Sequence, residues 1–162
     1  MHGFKQMVQN CKFVHLIEPK DWTGAASTAD HFSMKNYGHA TIIIQCGAWA
    51  GGTAAVTLEQ STVVAGTDDK ALAFTEQWLG SVLATADLLT RTAVTANTFD
   101  LDTANQIHVI EIDAEDLDVD NDFDCVELNV ASPGANADLY GAIAILSHSR
   151  YMNEPPPTAI TD

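Results

Sequence analysis

Residues 40–60 read ATIIIQCGAWAGGTAAVTLEQ, and this stretch decides the fold. Three consecutive isoleucines, Ile42 to Ile44, suit a strand covered on both faces, because β-branched side chains are stiff at χ1 and pack well on a pleat. Gly47 to Gly52 (GAWAGG) is a Gly-rich turn. From Ala55 to Gln60 the chain alternates, with Val56 and Leu58 on one side and Thr57 and Glu59 on the other. The two runs and their turn read as a β-hairpin.

Working outward, the same pattern recurs. Lys12 to Glu18 (KFVHLIE) is a strand closed by Pro19. Val63 to Lys70 is a loop with turn chemistry at Gly66, Asp68 and Asp69. Between Ala71 and Ala86, Phe74, Trp78 and Val82 have helical spacing, while Leu72, Phe74 and Glu76 alternate. This predicts a strand through Trp78 and a short helical turn before Asp87. Leu88–Val94, Ile107–Asp113, Asp124–Ala131 and Leu139–Ser147 are further strands, and the polar stretch 96–106 suits turns. Gly141 is expected at a bulge or a close contact. About eight strands with almost no helix predict an all-β fold, an antiparallel β-sandwich or jelly roll, and argue against α/β architecture. Residues 1–35 read as an N-terminal arm with one short strand, 36–152 as the sandwich, and 153–162 as a proline-rich tail. The tail, with Pro155, Pro156 and Pro157 in a row, is expected to be extended and exposed. Both ends read either as frayed termini or as arms reaching a neighbouring subunit.

Composition narrows the function. The 162 residues carry 22 acidic and 7 basic side chains, a formal charge of −15, and 46% are apolar. Such a chain can build a core, yet it lacks the clustered Lys and Arg of a nucleic-acid binder. No apolar run approaches a membrane span. Gln6, Gln9, Asn10 and Lys12 interrupt any signal-peptide-like run at the start, so export is not expected. Cys11, Cys46 and Cys125 have neither disulfide nor zinc-knuckle spacing, and the last two sit in apolar runs as small buried hydrophobes.

Catalytic motifs are missing. No serine lies in GxSxG, no phosphate-binding loop is present, and the histidines show no metalloprotease spacing. Seven of the twelve residues in Asp113–Asp124 (DAEDLDVDNDFD) are acidic. An EF-hand starting at Asp118 fails, because Phe123 and Asn129 occupy the positions that need Gly and Glu. Asp118, Asp120 and Asp122 remain candidate Ca²⁺ ligands. The competing readings are a solvated connection anchored by Leu117, Val119 and Phe123, or a docking surface for a basic partner. Arg150 could clamp this segment, or Arg150 and Arg91 make local salt bridges. Trp49, on its Gly-rich turn, is either folded back on the sheet or set in an interface. It joins Trp22 and Pro155–Pro157 as interface candidates. No cofactor is implied.

The order KFVHLIEP, MKNYGHATIIIQCG, AVTLEQS, ALAFTEQW, IHVIEIDAEDLD, DCVELNVASPG and YGAIAILSHSRY, over roughly residues 12–151, resembles small structural proteins of tailed bacteriophages, several of which are capsid decoration or cement proteins. The VIEID strand with its acidic LD turn, and the closing RY, are the most distinctive pieces. The resemblance implies a non-enzymatic homotrimer bound to the major capsid protein on the outer surface of the head, assembled in the host cytoplasm. A neck or tail protein is the nearest variant. The alternative outside that class is a Ca²⁺- or sugar-binding β-sandwich module. A hydrolase with dispersed carboxylates is a third reading.

Overall fold

The computed structural model describes residues 7–27, 31–81, 88–151 and 156–160. A single helical turn, α1 (Met7–Asn10), precedes eleven strands: β1 (Lys12–Asp21), β2 (Phe32–Ser33), β3 (Tyr37–Trp49), β4 (Ala54–Ser61), β5 (Lys70–Ala71), β6 (Glu76–Ser81), β7 (Thr90–Ala93), β8 (Thr98–Leu101), β9 (Gln106–Asp113), β10 (Cys125–Val130) and β11 (Asp138–Ser149). They form two antiparallel sheets. The larger has the order β1-β11-β3-β9-β6-β7; the smaller runs β2-β10-β4-β5, with β8 also paired to β4. The chain is a β-sandwich, as its alternation predicts. Among the described residues no helix is long and apolar enough to cross a membrane.

The core lies between the sheets. Ile42, Ile44, Ile110 and Ile112 from the larger sheet and Val56, Leu58, Val126 and Leu128 from the smaller are essentially fully buried. Each contributes roughly 1.5–3 kcal/mol by leaving water. Ile43 points the other way, half-buried on the outer face.

The central hairpin does not form. β3 pairs with β11 and β9, whereas β4 pairs with β10, β5 and β8 in the other sheet. The Gly-rich turn is instead a bridge between layers. Buried Asp138 holds it, its Oδ1 accepting from the Ala50 N–H at 2.6 Å and the Gly51 N–H at 3.3 Å. Gly52 has φ +94°, and a Cβ there would lie 2.3 Å from the Pro133 carbonyl oxygen. The Asp138 bonds fix the turn, and the close approach of the Pro133 carbonyl is open only to a residue without a Cβ.

Other boundaries also move. Pro19 lies inside β1 rather than closing it. The strand shifts register between Ile17 and Lys20, and as an edge strand it tolerates the missing N–H. Gly141 is indeed a close contact, since a Cβ there would lie 2.8 Å from the Pro19 Cα. Trp78 is central to β6 rather than its end, and the expected helical turn before Asp87 falls outside the described residues. β8 forms within the stretch read as turns.

Described residues from both terminal regions pack on the sandwich. β1 pairs along most of β11. Within the described part of the tail, 156–160, Pro156 and Pro157 are half-buried and Ala159 is fully buried, so this part is not exposed as expected. The Ala159 carbonyl accepts the Ser33 N–H at 2.6 Å, and the Tyr37 hydroxyl donates to the Pro157 carbonyl.

Candidate functional site

The outer face of the larger sheet carries an apolar row. Register places Ile143 opposite Ile43, Ile43 opposite Val109, and Val109 opposite Trp78. Paired residues share a face, so the row crosses four strands. Phe13, Leu139 and Ile143 are 42%, 39% and 37% exposed. An open groove of about 470 Å³ runs beside the row, lined by His15, Ile17, Ile43, Leu139 and Ile143 among others.

At one end of this face lies a histidine between two carboxylates. His39 stands opposite Asp113 in the β3–β9 ladder, and Glu111 shares the β9 face two residues earlier. The ring bonds Asp113 Oδ1 through Nδ1 at 2.7 Å and Glu111 through Nε2. Thr41 Oγ1 donates to Glu111 at 2.9 Å. Burial alone disfavours the imidazolium, but the bonds to Asp113 and Glu111 outweigh it, and the pKa rises above the usual histidine value.

A second cluster sits on the outer face of the smaller sheet. His31 precedes β2, Asp69 precedes β5, and Glu127 is on β10. His31 Nε2 is 2.9 Å from Asp69 Oδ1 and 3.6 Å from Glu127 Oε2. Glu127 stands directly opposite Glu59 in the β10–β4 ladder. The Asn129 amide donates to both, at 2.8 Å to Glu127 and 3.1 Å to Glu59. Burial raises the Glu127 pKa; His31 and Asn129 pull it back down, while Asp69 and Glu59 add to the rise. Sequence reading missed this cluster because its members come from three distant segments.

The acidic segment is organised differently from its sequence expectation. Among the described residues, His31, Asp69 and Glu127 are the three metal-ligating side chains whose donor atoms all lie within 4.8 Å of one another. Asp118, Asp120 and Asp122 do not form such a group. Asp118 pairs with Lys70 and accepts from Asn121 Nδ2 at 2.9 Å on both oxygens, and these bonds lower its pKa. Lys70 Nζ also lies 3.7 Å from the Phe123 ring centroid. Leu117 is buried and anchors the segment; Val119 is 55% exposed and does not. Lys70, rather than Arg150, is the counter-charge. Arg150 borders the neighbouring groove beside Asp122 and Asp124, and Arg91 pairs with Glu76.

Trp22 is buried, stacked on Tyr140 at 5.7 Å, with Nε1 donating to the Glu18 and Tyr140 carbonyls. Trp49 folds back, its ring 6.3 Å from Tyr140 and its Nε1 donating to the Gly52 carbonyl at 3.1 Å. Of the proline candidates, Pro155 lies outside the described residues. Cys46 and Cys125 are buried thiols, and burial pushes Cys46 up to about 12, with a smaller push from Asp102. His108, against Phe99 at 5.2 Å and bonded through Nδ1 to Gln77 Oε1 at 2.9 Å, is pushed down to about 4 by burial.

Fold and surface together define an antiparallel β-sandwich with an apolar outer face on one sheet and a histidine–carboxylate cluster on the other. Set against known proteins, the chain matches no family model, no curated protein and no solved structure.

Proposed function

We propose that this chain is a structural docking protein of a virus shell: a tailed-bacteriophage capsid decoration or cement protein, trimeric, bound to the outer surface of the major capsid lattice and stabilising the head. The apolar row Ile143–Ile43–Val109–Trp78 carries the docking part of this reading. A partly exposed apolar sheet face is suited to covering by another protein. The strand order and end motifs carry the capsid part. The charge of −15 favours an outer position, because a DNA-facing one would repel the phosphates. Many weak contacts repeated over a lattice would supply the stabilisation by avidity. A neck or tail location is the nearest variant.

The test mixes purified protein with undecorated expanded capsids, followed by co-sedimentation and imaging. Ordered added density, lost in an Ile43→Glu/Ile143→Glu variant that still melts cooperatively, is the expected result. Capsids that stay bare overturn the reading. A solution mass equal to three chains is expected of the free protein or of the capsid-bound form.

A further inference from the structure

We propose that His31, Asp69 and Glu127 form a binding site for a divalent cation of the zinc class. Three observations carry this.

The first is spacing. The three ligand atoms lie within 4.8 Å of one another. Ligands on a tetrahedral ion with bonds of about 2.1 Å stand about 3.4 Å apart. The His31 Nε2 separations, 2.9 Å to Asp69 and 3.6 Å to Glu127, bracket that value.

The second is the direction of the donors. Both carboxylates approach the same ring nitrogen. One N–H can serve Asp69 at 2.9 Å, but 3.6 Å to Glu127 is too long for a hydrogen bond. Glu127 Oε2 instead accepts from the Asn129 amide at 2.8 Å, and its negative charge still lies beside the ring nitrogen. Glu59 stands directly across from Glu127; the Asn129 amide bridges the two carboxylates but, being neutral, leaves their like charges in place. The adjacent Lys70 is engaged by Asp118. A divalent ion at Nε2 replaces one shared proton with two charges.

The third is shape. Gly66 has φ +59°, and a Cβ there would lie 2.2 Å from His31 Cε1. The loop between β4 and β5 therefore closes on the imidazole only because residue 66 has no side chain, and it sets the ring edge toward the two carboxylates. One imidazole nitrogen with two carboxylate oxygens suits zinc or a similar transition ion; calcium takes six to eight oxygens.

The site lies on the smaller sheet and is independent of the docking face. Full-length protein stripped with EDTA and desalted should be titrated with zinc chloride, and separately with calcium chloride, by calorimetry. One zinc per chain is expected, with a rise in melting temperature of about 5 °C or more at saturation. Asp69→Asn keeps the side-chain volume at a partly exposed position and should weaken zinc at least tenfold. Asp120→Asn and His39→Gln should bind as wild type. No heat and no thermal shift at millimolar zinc overturns the proposal. So does undiminished binding in Asp69→Asn, which would place the ion elsewhere, or calcium binding as tightly as zinc.

Discussion

Two histidines in this sandwich each face two carboxylates, and the arrangements have opposite meanings. Around His39 the acids occupy different ring nitrogens, Asp113 on Nδ1 and Glu111 on Nε2. Each nitrogen must donate, so the arrangement holds a proton. Around His31 both acids approach Nε2 alone. That geometry sets three candidate ligand atoms within 4.8 Å of one another, a spacing that suits a metal ion. The contrast turns on how each cluster is built. The first follows from strand register, with neighbours on two paired strands; the second needs a loop and an N-terminal segment folded over a third strand.

The largest test of the contrast is Gly66→Ala. A Cβ at φ +59° would overlap the His31 ring and strain the backbone. The combined cost is about 3–4 kcal/mol, read by urea denaturation. The titration of His39, followed by NMR, should not move. An unchanged midpoint would mean that the ring is not seated as described.

His108 supplies the reference case, a buried histidine with no carboxylate bonded to its ring. Its folded pKa of about 4 lies below the unfolded value of about 6.5. The unfolded chain therefore binds a proton that the folded one refuses, and stability falls as pH drops from 6.5 toward 4, by about 3 kcal/mol. His108→Phe should remove that part of the acid slope.

His39 has the reverse sign. Its folded pKa is raised, so its contribution is complete below about 6.5 and is lost as pH climbs through the folded value. The loss, within about 1 kcal/mol for so exposed a cluster, should vanish in His39→Gln. The smallest effect concerns the facing glutamates. Glu59→Gln in metal-free protein should stabilise the fold by about 0.5 kcal/mol in chemical denaturation, by removing a like charge opposite Glu127.

The strands were legible wherever β-branched alternation was strong. Ile107 to Asp113 and Asp124 to Ala131 match β9 and β10 to within a residue. The pairing was not legible. GAWAGG has the composition of a hairpin turn, and nothing local reports that Asp138, far along the chain, holds it as a bridge between layers. β2 and β5, two residues each, are too short to leave a period. Of the chemistry, density of like residues drew attention to Asp118, Asp120 and Asp122, where Lys70 neutralises the first. His39 with Glu111 and Asp113 becomes readable once β3 is laid against β9. His31 and Asp69 lie 38 residues apart, and only the fold brings them together.

The closing segment of the chain has a practical corollary. Ala159 is bonded to Ser33, two positions from His31, and covers the outer margin of β2. Without that alanine's carbonyl the β2 edge would be open to pairing with another chain.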